Sequence, residues 1–250
     1  MERQCSRFHA PLLACALAST LLATVNGCSD QHNAADPVQH HAQAATPAHA
    51  ASAQPDVADA WQRLKDGNAR FVRGAMRHPH EDTGWRGDLE KGQHPFATVI
   101  GCSDSRVPLE LLFDQGFGDL FVIRVAGNLV MRDEAGSIEY AVLHLHTPIV
   151  AIVGHEQCGA VTAALGSHED IMGEPQELSE LLATIHVGMP EFSHAMPQAE
   201  RVKAGVESNV RQAMHQLAQV PSIHDAVAAG HTRIVGGVYD LHTGQVRWLD

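Results

Sequence analysis

The first regular pattern in the chain is a row of large side chains spaced three and four residues apart after Asp56. Val57, Trp61 and Leu64 follow this spacing, which places them on one face of a helix. Aspartate is favoured just before a helix, where its side chain accepts hydrogen bonds from the first free backbone amides. The pattern therefore predicts an amphipathic helix over 56–72 that begins at Asp56.

Farther along the chain, short apolar runs rich in β-forming residues alternate with helical stretches. The first run follows a segment rich in Gly, His and Pro, which predicts a loop. Strands are predicted at 96–101, 119–125 and 148–154, and helices at 107–114, 134–146, 159–165, 176–187, 199–219 and 222–229. Strands this apolar on both faces, separated by helices, are typical of a parallel sheet that is covered on both sides.

The segment 231–249 contains two further apolar runs, which meet at Thr243-Gly244. This arrangement predicts a β-hairpin at the edge of the sheet. The predicted fold class is therefore α/β, with a central, mainly parallel β-sheet flanked by helices. No internal repeat or linker interrupts 56–250, which predicts a single folded domain.

The segment 1–27 has the layout of a secretory signal. Two arginines precede an uncharged apolar stretch at 10–25, which is shorter than the about 20 residues that a membrane span needs. The segment 25–27 then leads into Cys28 in a way that resembles a bacterial lipoprotein signal, where the cysteine is lipidated and becomes the mature N-terminus. The alternative is an ordinary cleaved signal beside an incidental cysteine. The layout favours lipidation of Cys28, and so an exported, periplasmic protein anchored to a bacterial membrane.

The segment 28–55 has almost no large apolar side chain and consists mainly of Ala, Gln, His, Pro and Asp. It buries too little surface to offset the entropy lost on ordering, and so a disordered spacer is predicted. His-rich tracts can collect metal ions, but a low-complexity spacer is the favoured interpretation. We assign its histidines no role.

Charge excludes one class of function. The chain has 17 Lys and Arg against 29 Asp and Glu, a formal net charge of −12, and no basic block. A nucleic-acid surface needs clustered positive charge that displaces counterions from phosphates. We therefore predict no nucleic-acid partner.

The candidate chemistry lies in two segments that follow predicted strands. Cys102 comes directly after the first strand, whereas His155 and Cys158 follow the third. The carboxyl ends of parallel strands lie at one edge of a sheet, and so these side chains are expected to meet. Two thiolates and one imidazole suit zinc, and three protein ligands leave a fourth position for a water whose pKa zinc lowers to about 7.

Asp104 and Arg106 are the candidate catalytic pair beside those ligands. Asp104, two residues beyond Cys102, could fill the fourth position of the metal or accept a hydrogen bond from what occupies it. The planar guanidinium of Arg106 is suited to binding that carboxylate, which would hold it away from the metal.

The spacing alone leaves three alternatives open. Zinc bound by Cys102, His155 and Cys158 could be catalytic, or it could be structural with Asp104 as a permanent fourth ligand. Cys102 and Cys158 could instead form a disulfide, because an exported protein meets an oxidising compartment.

The segments 102–108 (CSDSRVP) and 155–159 (HEQCG) together resemble the two signatures of the β-class carbonic anhydrases. The segments 67–71 and 121–128 also resemble that family, and the likeness covers 56–250, which it implies to be the catalytic domain. The resemblance implies the family's fold, zinc as cofactor and carbon dioxide and bicarbonate as substrates. The zinc ligands it implies are Cys102, His155 and Cys158, and the catalytic dyad is Asp104 with Arg106.

The same resemblance implies three substrate-binding residues and a homodimer or higher homo-oligomer. Gln93 matches a glutamine that contacts substrate across a dimer interface. Gly159 matches a glycine whose backbone amide can reach a bound anion, and Phe121 matches an aromatic residue on the apolar side of the pocket.

Three functions are consistent with these residues. The favoured one is the reversible hydration of carbon dioxide by a zinc-activated hydroxide. A hydrolase of a carbon dioxide isostere such as carbon disulfide is the second, because fold and ligands do not fix the substrate. A non-catalytic zinc-binding module is the third, and the presence of Asp104 and Arg106 argues against it.

Overall fold

A five-stranded sheet runs through the part of the chain that the computed structural model describes, residues 54–193 and 195–249. Its strands are Ala97–Gly101 (β1), Leu120–Arg124 (β2), Ile149–His155 (β3), Arg233–Tyr239 (β4) and Val246–Leu249 (β5). They lie in the order β2-β1-β3-β4-β5, with β1 to β4 parallel and β5 antiparallel to β4. The mainly parallel sheet and the terminal hairpin are confirmed.

The helices pack on both faces of this sheet. Their bounds are Val57–Val72 (α1), Thr83–Leu89 (α2), Leu109–Leu112 (α3), Arg132–Leu143 (α4), Gly159–Ala164 (α5), His168–Met172 (α6), Gln176–Val187 (α7), Gln198–Ala218 (α8) and Pro221–Ala228 (α9). Successive side chains of a strand point to opposite faces. Val99 of β1 accordingly packs in an apolar cluster with α1 and α3, whereas the next residue, Ile100, packs in a second cluster with α4, α5 and α7 to α9.

Helix α1 shows how closely the periodic pattern matched the structure. The Asp56 side chain accepts a hydrogen bond from the Asp59 amide at 2.8 Å, as expected of a residue at a helix start. Leu64 is fully buried on the inner face of the helix. The other predicted helices agree with the structure to within a few residues at their ends.

Two helices were missed. The loop predicted before β1 contains α2, where Asp82 caps the helix by accepting a 2.9 Å hydrogen bond from the Trp85 amide. Helix α6 also has a side-chain cap, since Ser167 accepts from the Asp170 amide at 3.1 Å. Both helices are seven residues or shorter, too short for an apolar period to stand out.

The N-terminal predictions lie outside the described residues. These are the signal at 1–27, lipidation of Cys28 and all but the last two residues of the spacer at 28–55. Within the described residues, no helix combines the length and apolar character that a membrane crossing requires.

Candidate metal centre

Three buried donor side chains meet where β1 and β3 end. The strands are parallel neighbours with Gly101 beside Val153, so that Cys102, just after β1, lies near His155, the last residue of β3. The chain then turns through Gln157, which has a positive φ of 54°, and returns Cys158 at the start of α5. The ligand atoms of the three residues lie within 4.8 Å of one another, as the sequence predicted.

The His155 ring is held with one nitrogen free for a metal. Its Nδ1 lies 2.9 Å from the backbone carbonyl of Glu156, and because a carbonyl only accepts, Nδ1 carries the proton and donates it. The lone pair is therefore on Nε2, which is buried and has no hydrogen-bond partner. A buried acceptor without a partner is costly, and a metal ion at this position would remove that cost.

The two thiols differ in acidity. The largest influence on Cys102 is the hydrogen bond that it accepts from the Cys158 thiol, and the net effect lowers the pKa of Cys102 to about 4 although burial opposes it. The backbone amides of Asp104 and Gly127 also donate to the Cys102 sulfur, each at 3.4 Å. The pKa of Cys158 is raised, first because it is the proton donor to Cys102 and second because it is buried. One thiolate is thus stabilised even without a metal.

Asp104 lies beside the donors and is bound by Arg106 rather than turned inward. Arg106 donates from Nε to Oδ1 at 2.9 Å and from Nη2 to Oδ2 at 2.7 Å, and its backbone amide donates to Oδ1 at 2.9 Å. The side-chain bonds from Arg106 are the main reason that the pKa of Asp104 lies well below its usual range. Asp104 Oδ2 is still only 3.8 Å from His155 Nε2. The carboxylate is therefore ionised, adjacent to the centre and restrained.

Arg124, at the end of β2, binds the backbone of the loop that follows β1 and contains Cys102 and Asp104. Its Nε donates to the Cys102 carbonyl at 3.1 Å and its Nη2 to the Asp104 carbonyl at 2.6 Å. Arg124 is a part of the centre that the motifs of the sequence did not predict. The only signal available was its position at the end of a strand next to β1, which is weak without knowledge of the pairing.

The three predicted substrate residues have different positions relative to the donors. Gly159 directly follows Cys158, is exposed, and has open space where a Cβ would lie. Phe121 is half-buried three residues before the end of β2, with its ring 6.2 Å from that of Tyr140. Gln93 is exposed and precedes β1, so that it lies at the opposite end of that strand from Cys102. The chain itself does not bring Gln93 to the centre, and the substrate roles of all three stay predictions.

The donor set fits zinc. Two sulfurs and one imidazole nitrogen are ligand types of borderline-soft zinc, and three protein ligands are typical of catalytic sites. Both cysteines are free rather than disulfide-bonded. Among residues 54–193 and 195–249, no second group of three His, Cys, Asp or Glu donors lies this close together.

Comparisons with known proteins agree with this geometry. The profile of a family described as carbonic anhydrase matches residues 97–246, from the first residue of β1 to the first of β5. Carbonic anhydrase 2 of Mycobacterium tuberculosis is 38% identical over 191 residues, which are 74% of this chain and 89% of the relative. The carbonic anhydrase of Mycolicibacterium smegmatis is 41% identical over 192 residues, covering 75% and 90%.

Solved structures share the fold. The β-carbonic anhydrase of Coccomyxa, solved in complex with acetazolamide, is similar with a TM-score of 0.62 and 27% identity, covering 74% of this chain and 83% of that one. Tetrameric β-carbonic anhydrases of Sordaria macrospora are similar with a TM-score of 0.59 and 29% identity, covering 76% and 95%.

Proposed function

We propose that this chain, which belongs to the β-carbonic anhydrase family, hydrates carbon dioxide reversibly to bicarbonate and a proton at a zinc ion held by Cys102, His155 and Cys158. As a carbonic anhydrase it is a lyase. The observation that carries the proposal is the convergence of three buried donors within 4.8 Å of one another, beside a carboxylate that an arginine holds. The relatives named above are carbonic anhydrases, which favours carbon dioxide over carbon disulfide as substrate.

Each residue at the centre has a distinct part in this chemistry. Zinc, when bound, supplies the Lewis acidity that makes a water nucleophilic near neutral pH. Asp104, ionised because Arg106 donates to it, is an acceptor only, and so it can orient a water by taking a hydrogen bond from it. The carboxylate oxygen that lies 3.8 Å from His155 Nε2 is placed for this role. Arg106 keeps Asp104 from turning to the position where substrate and water must enter.

The first prediction concerns metal content and rate. Protein purified without chelator is expected to contain about one zinc per chain and to catalyse carbon dioxide hydration in a stopped-flow assay. Removal of the metal should abolish the catalysis, and added zinc should restore it, because the ligands are buried side chains of a preformed fold. Circular dichroism of the metal-free protein controls for unfolding.

Two outcomes contradict this proposal. One is zinc-loaded protein that does not accelerate hydration above the uncatalysed rate. The other is metal-free protein in which mass spectrometry finds Cys102 joined to Cys158. Release of hydrogen sulfide from carbon disulfide, without hydration of carbon dioxide, would instead favour the isostere hydrolase.

We extend the proposal to a homodimer or a higher homo-oligomer. Strand β2 is at the edge of the sheet in the described part of the chain, and the neighbouring helix α4 exposes 47% of Tyr140 and 44% of Leu143. Exposed apolar side chains beside a sheet edge are typical of an association surface. Gln93, at the far end of β1 from the donors of its own chain, could then serve the centre of a second copy. The related Sordaria proteins are tetrameric.

The second prediction concerns export and anchoring, which we propose from the apolar stretch at 10–25 and the segment 25–27 before Cys28. Expressed with its full leader, the protein should fractionate with membranes, whereas Cys28→Ser should release it to the soluble periplasm. Cys15→Ser, a cysteine change inside the apolar stretch, is the matched control and should leave the protein on the membrane. Identical fractionation of wild type and Cys28→Ser, with no lipid mass on the N-terminal peptide, would exclude lipidation.

A further inference from the structure

Helix α8 carries a buried asparagine in an otherwise apolar face. Val206 and Val210, on the same face as Asn209, are 2% and 0% exposed, and Asn209 itself is 1% exposed. Its Oδ1 has no hydrogen-bond partner. An apolar side chain of similar shape would avoid the cost of this unpaired atom, so packing of the apolar face alone does not account for asparagine here.

The other polar atom of Asn209 holds the turn that follows β2. Nδ2 donates to the carbonyl of Gly127 at 2.7 Å. At its other end the same peptide group donates from the Asn128 amide to the Val125 carbonyl at 3.0 Å. The peptide between residues 127 and 128 is thus fixed from both sides.

This turn cannot easily be held by packing alone. Gly127 and Asn128 have positive φ values of 69° and 46°, a conformation that is unfavourable for most side chains. A Cβ at Gly127 would also lie 2.7 Å from the Ile185 side chain. A strained turn of two residues persists only when surrounding contacts define it, and the Asn209 bond is such a contact.

The fixed turn directs a backbone amide at a metal ligand. The Gly127 N–H donates to the Cys102 sulfur over 3.4 Å. Hydrogen bonds to a ligating sulfur withdraw charge from it and so tune the metal. Helix α8 also packs closely against β3, the strand that ends at His155. A Cβ at Gly154 of β3 would lie only 2.7 Å from the Val210 side chain of α8.

We propose that Asn209 is a positioning residue for the metal centre: by holding the Gly127 carbonyl, it keeps the Gly127 amide aimed at Cys102 and sets how strongly that sulfur donates to the metal. The inference rests on the proposed zinc site and adds a residue of α8 to its support. Loss of the Asn209 bond leaves the turn free to rotate, and the Cys102 sulfur then becomes a stronger donor and the metal a weaker Lewis acid.

The third prediction tests this with Asn209→Leu, which keeps the number and branching of the side-chain heavy atoms and removes the donor. In the cobalt-substituted protein, the thiolate-to-cobalt charge-transfer band should move to lower energy, because the sulfur is more electron-rich. The zinc-loaded variant should hydrate carbon dioxide about 10-fold more slowly. The thermal midpoint should stay close to that of the wild type, because the unpaired Oδ1 is removed but the Gly127 carbonyl loses its donor. Should Asn209→Leu not fold, Asn209→Ala removes the same donor and should shift the cobalt band and the hydration rate in the same direction.

Asn68→Leu is the matched control. Asn68 is 5% exposed, and its side chain bonds the backbone of Leu112, Gly244 and Val246 at 2.9 to 3.2 Å. Its loss should lower the thermal midpoint and leave the cobalt band unchanged. The inference alone is overturned if the charge-transfer band of Asn209→Leu lies at the same energy as that of the wild type, and the wild type binds cobalt and hydrates carbon dioxide. Wild type that binds neither metal overturns the proposed function instead.

Discussion

Replacing Cys158 with serine is expected to strip zinc from the protein and to reduce carbon dioxide hydration to the uncatalysed background. Cys158 is 1% exposed, and its sulfur is one of the three donor atoms that lie within 4.8 Å of one another. Serine has nearly the same shape, but its hydroxyl does not ionise near neutral pH and is a poor zinc ligand. Structural zinc sites bind the ion with about 10–16 kcal/mol, so one ligand of four contributes about 2.5–4 kcal/mol, or roughly 10²–10³-fold in affinity.

Thr162→Val is the matched control for this substitution. Thr162 lies one turn into α5, and its hydroxyl donates to the Cys158 carbonyl at 2.8 Å. The change is also nearly isosteric and next to the same ligand, but it removes no metal-binding atom. Elemental analysis and stopped-flow rates should show zinc and activity in Thr162→Val and neither in Cys158→Ser. Zinc retained at one per chain in Cys158→Ser, with normal hydration, would remove Cys158 from the ligand set.

The elements that the sequence predicted well are those whose burial pattern is simple. Strand β3 is buried along its whole length and therefore appears as an unbroken apolar run. Helix α1 has one buried face, which produces a clear period of three and four residues. Cys102 follows β1 and His155 ends β3. Once these two strands were predicted to lie parallel in one sheet, their carboxyl ends, and so the two side chains, were expected to meet.

The parts of the site that could not be predicted depend on contacts between distant segments. Asn209 and Gly127 are 82 residues apart. The spacing of Val206 and Ala213 places position 209 on the apolar face of α8, but it does not indicate which backbone group the asparagine binds. Arg124 donates to the backbone carbonyls of Cys102 and Asp104, and backbone groups carry no signal of residue type. The sequence also could not show whether the Asp104 carboxylate binds the metal or pairs with Arg106, because its position two residues from both Cys102 and Arg106 is compatible with either.

Replacing Arg106 with alanine is expected to lower carbon dioxide hydration about 100-fold while zinc stays bound. Arg106 supplies two side-chain hydrogen bonds to Asp104, at 2.9 and 2.7 Å. In the alanine variant, the one hydrogen bond that residue 106 can still donate to the Asp104 carboxylate is that from its backbone amide. Ligands of a tetrahedral zinc lie about 3.3–3.8 Å apart, given bonds of about 2.0–2.3 Å. Since Asp104 Oδ2 is already 3.8 Å from His155 Nε2, a small rotation would make it the fourth ligand.

A double substitution separates this restraint from a direct role of Arg106. If Arg106 acts by keeping Asp104 off the metal, removing Asp104 as well should reopen the centre. Arg106→Ala with Asp104→Ala should then be no slower than Asp104→Ala alone, which loses only the acceptor that orients water. Metal-edge X-ray absorption should find a carboxylate oxygen on zinc in Arg106→Ala and not in the double variant. This is a non-additive cycle, as expected of residues in direct contact.

Arg247→Ala controls for the loss of a surface arginine. Arg247 also pairs with a carboxylate, that of Glu207, and its side chain is 51% exposed against 49% for Arg106. Exposed pairs contribute little to stability, so Arg247→Ala should keep both zinc and rate. Near-normal hydration by Arg106→Ala at neutral pH would show that Asp104 needs no such restraint. Arg106 would then act through its remaining contact, the Gln157 carbonyl at 3.4 Å, as a residue that ties the two ligand-bearing loops together.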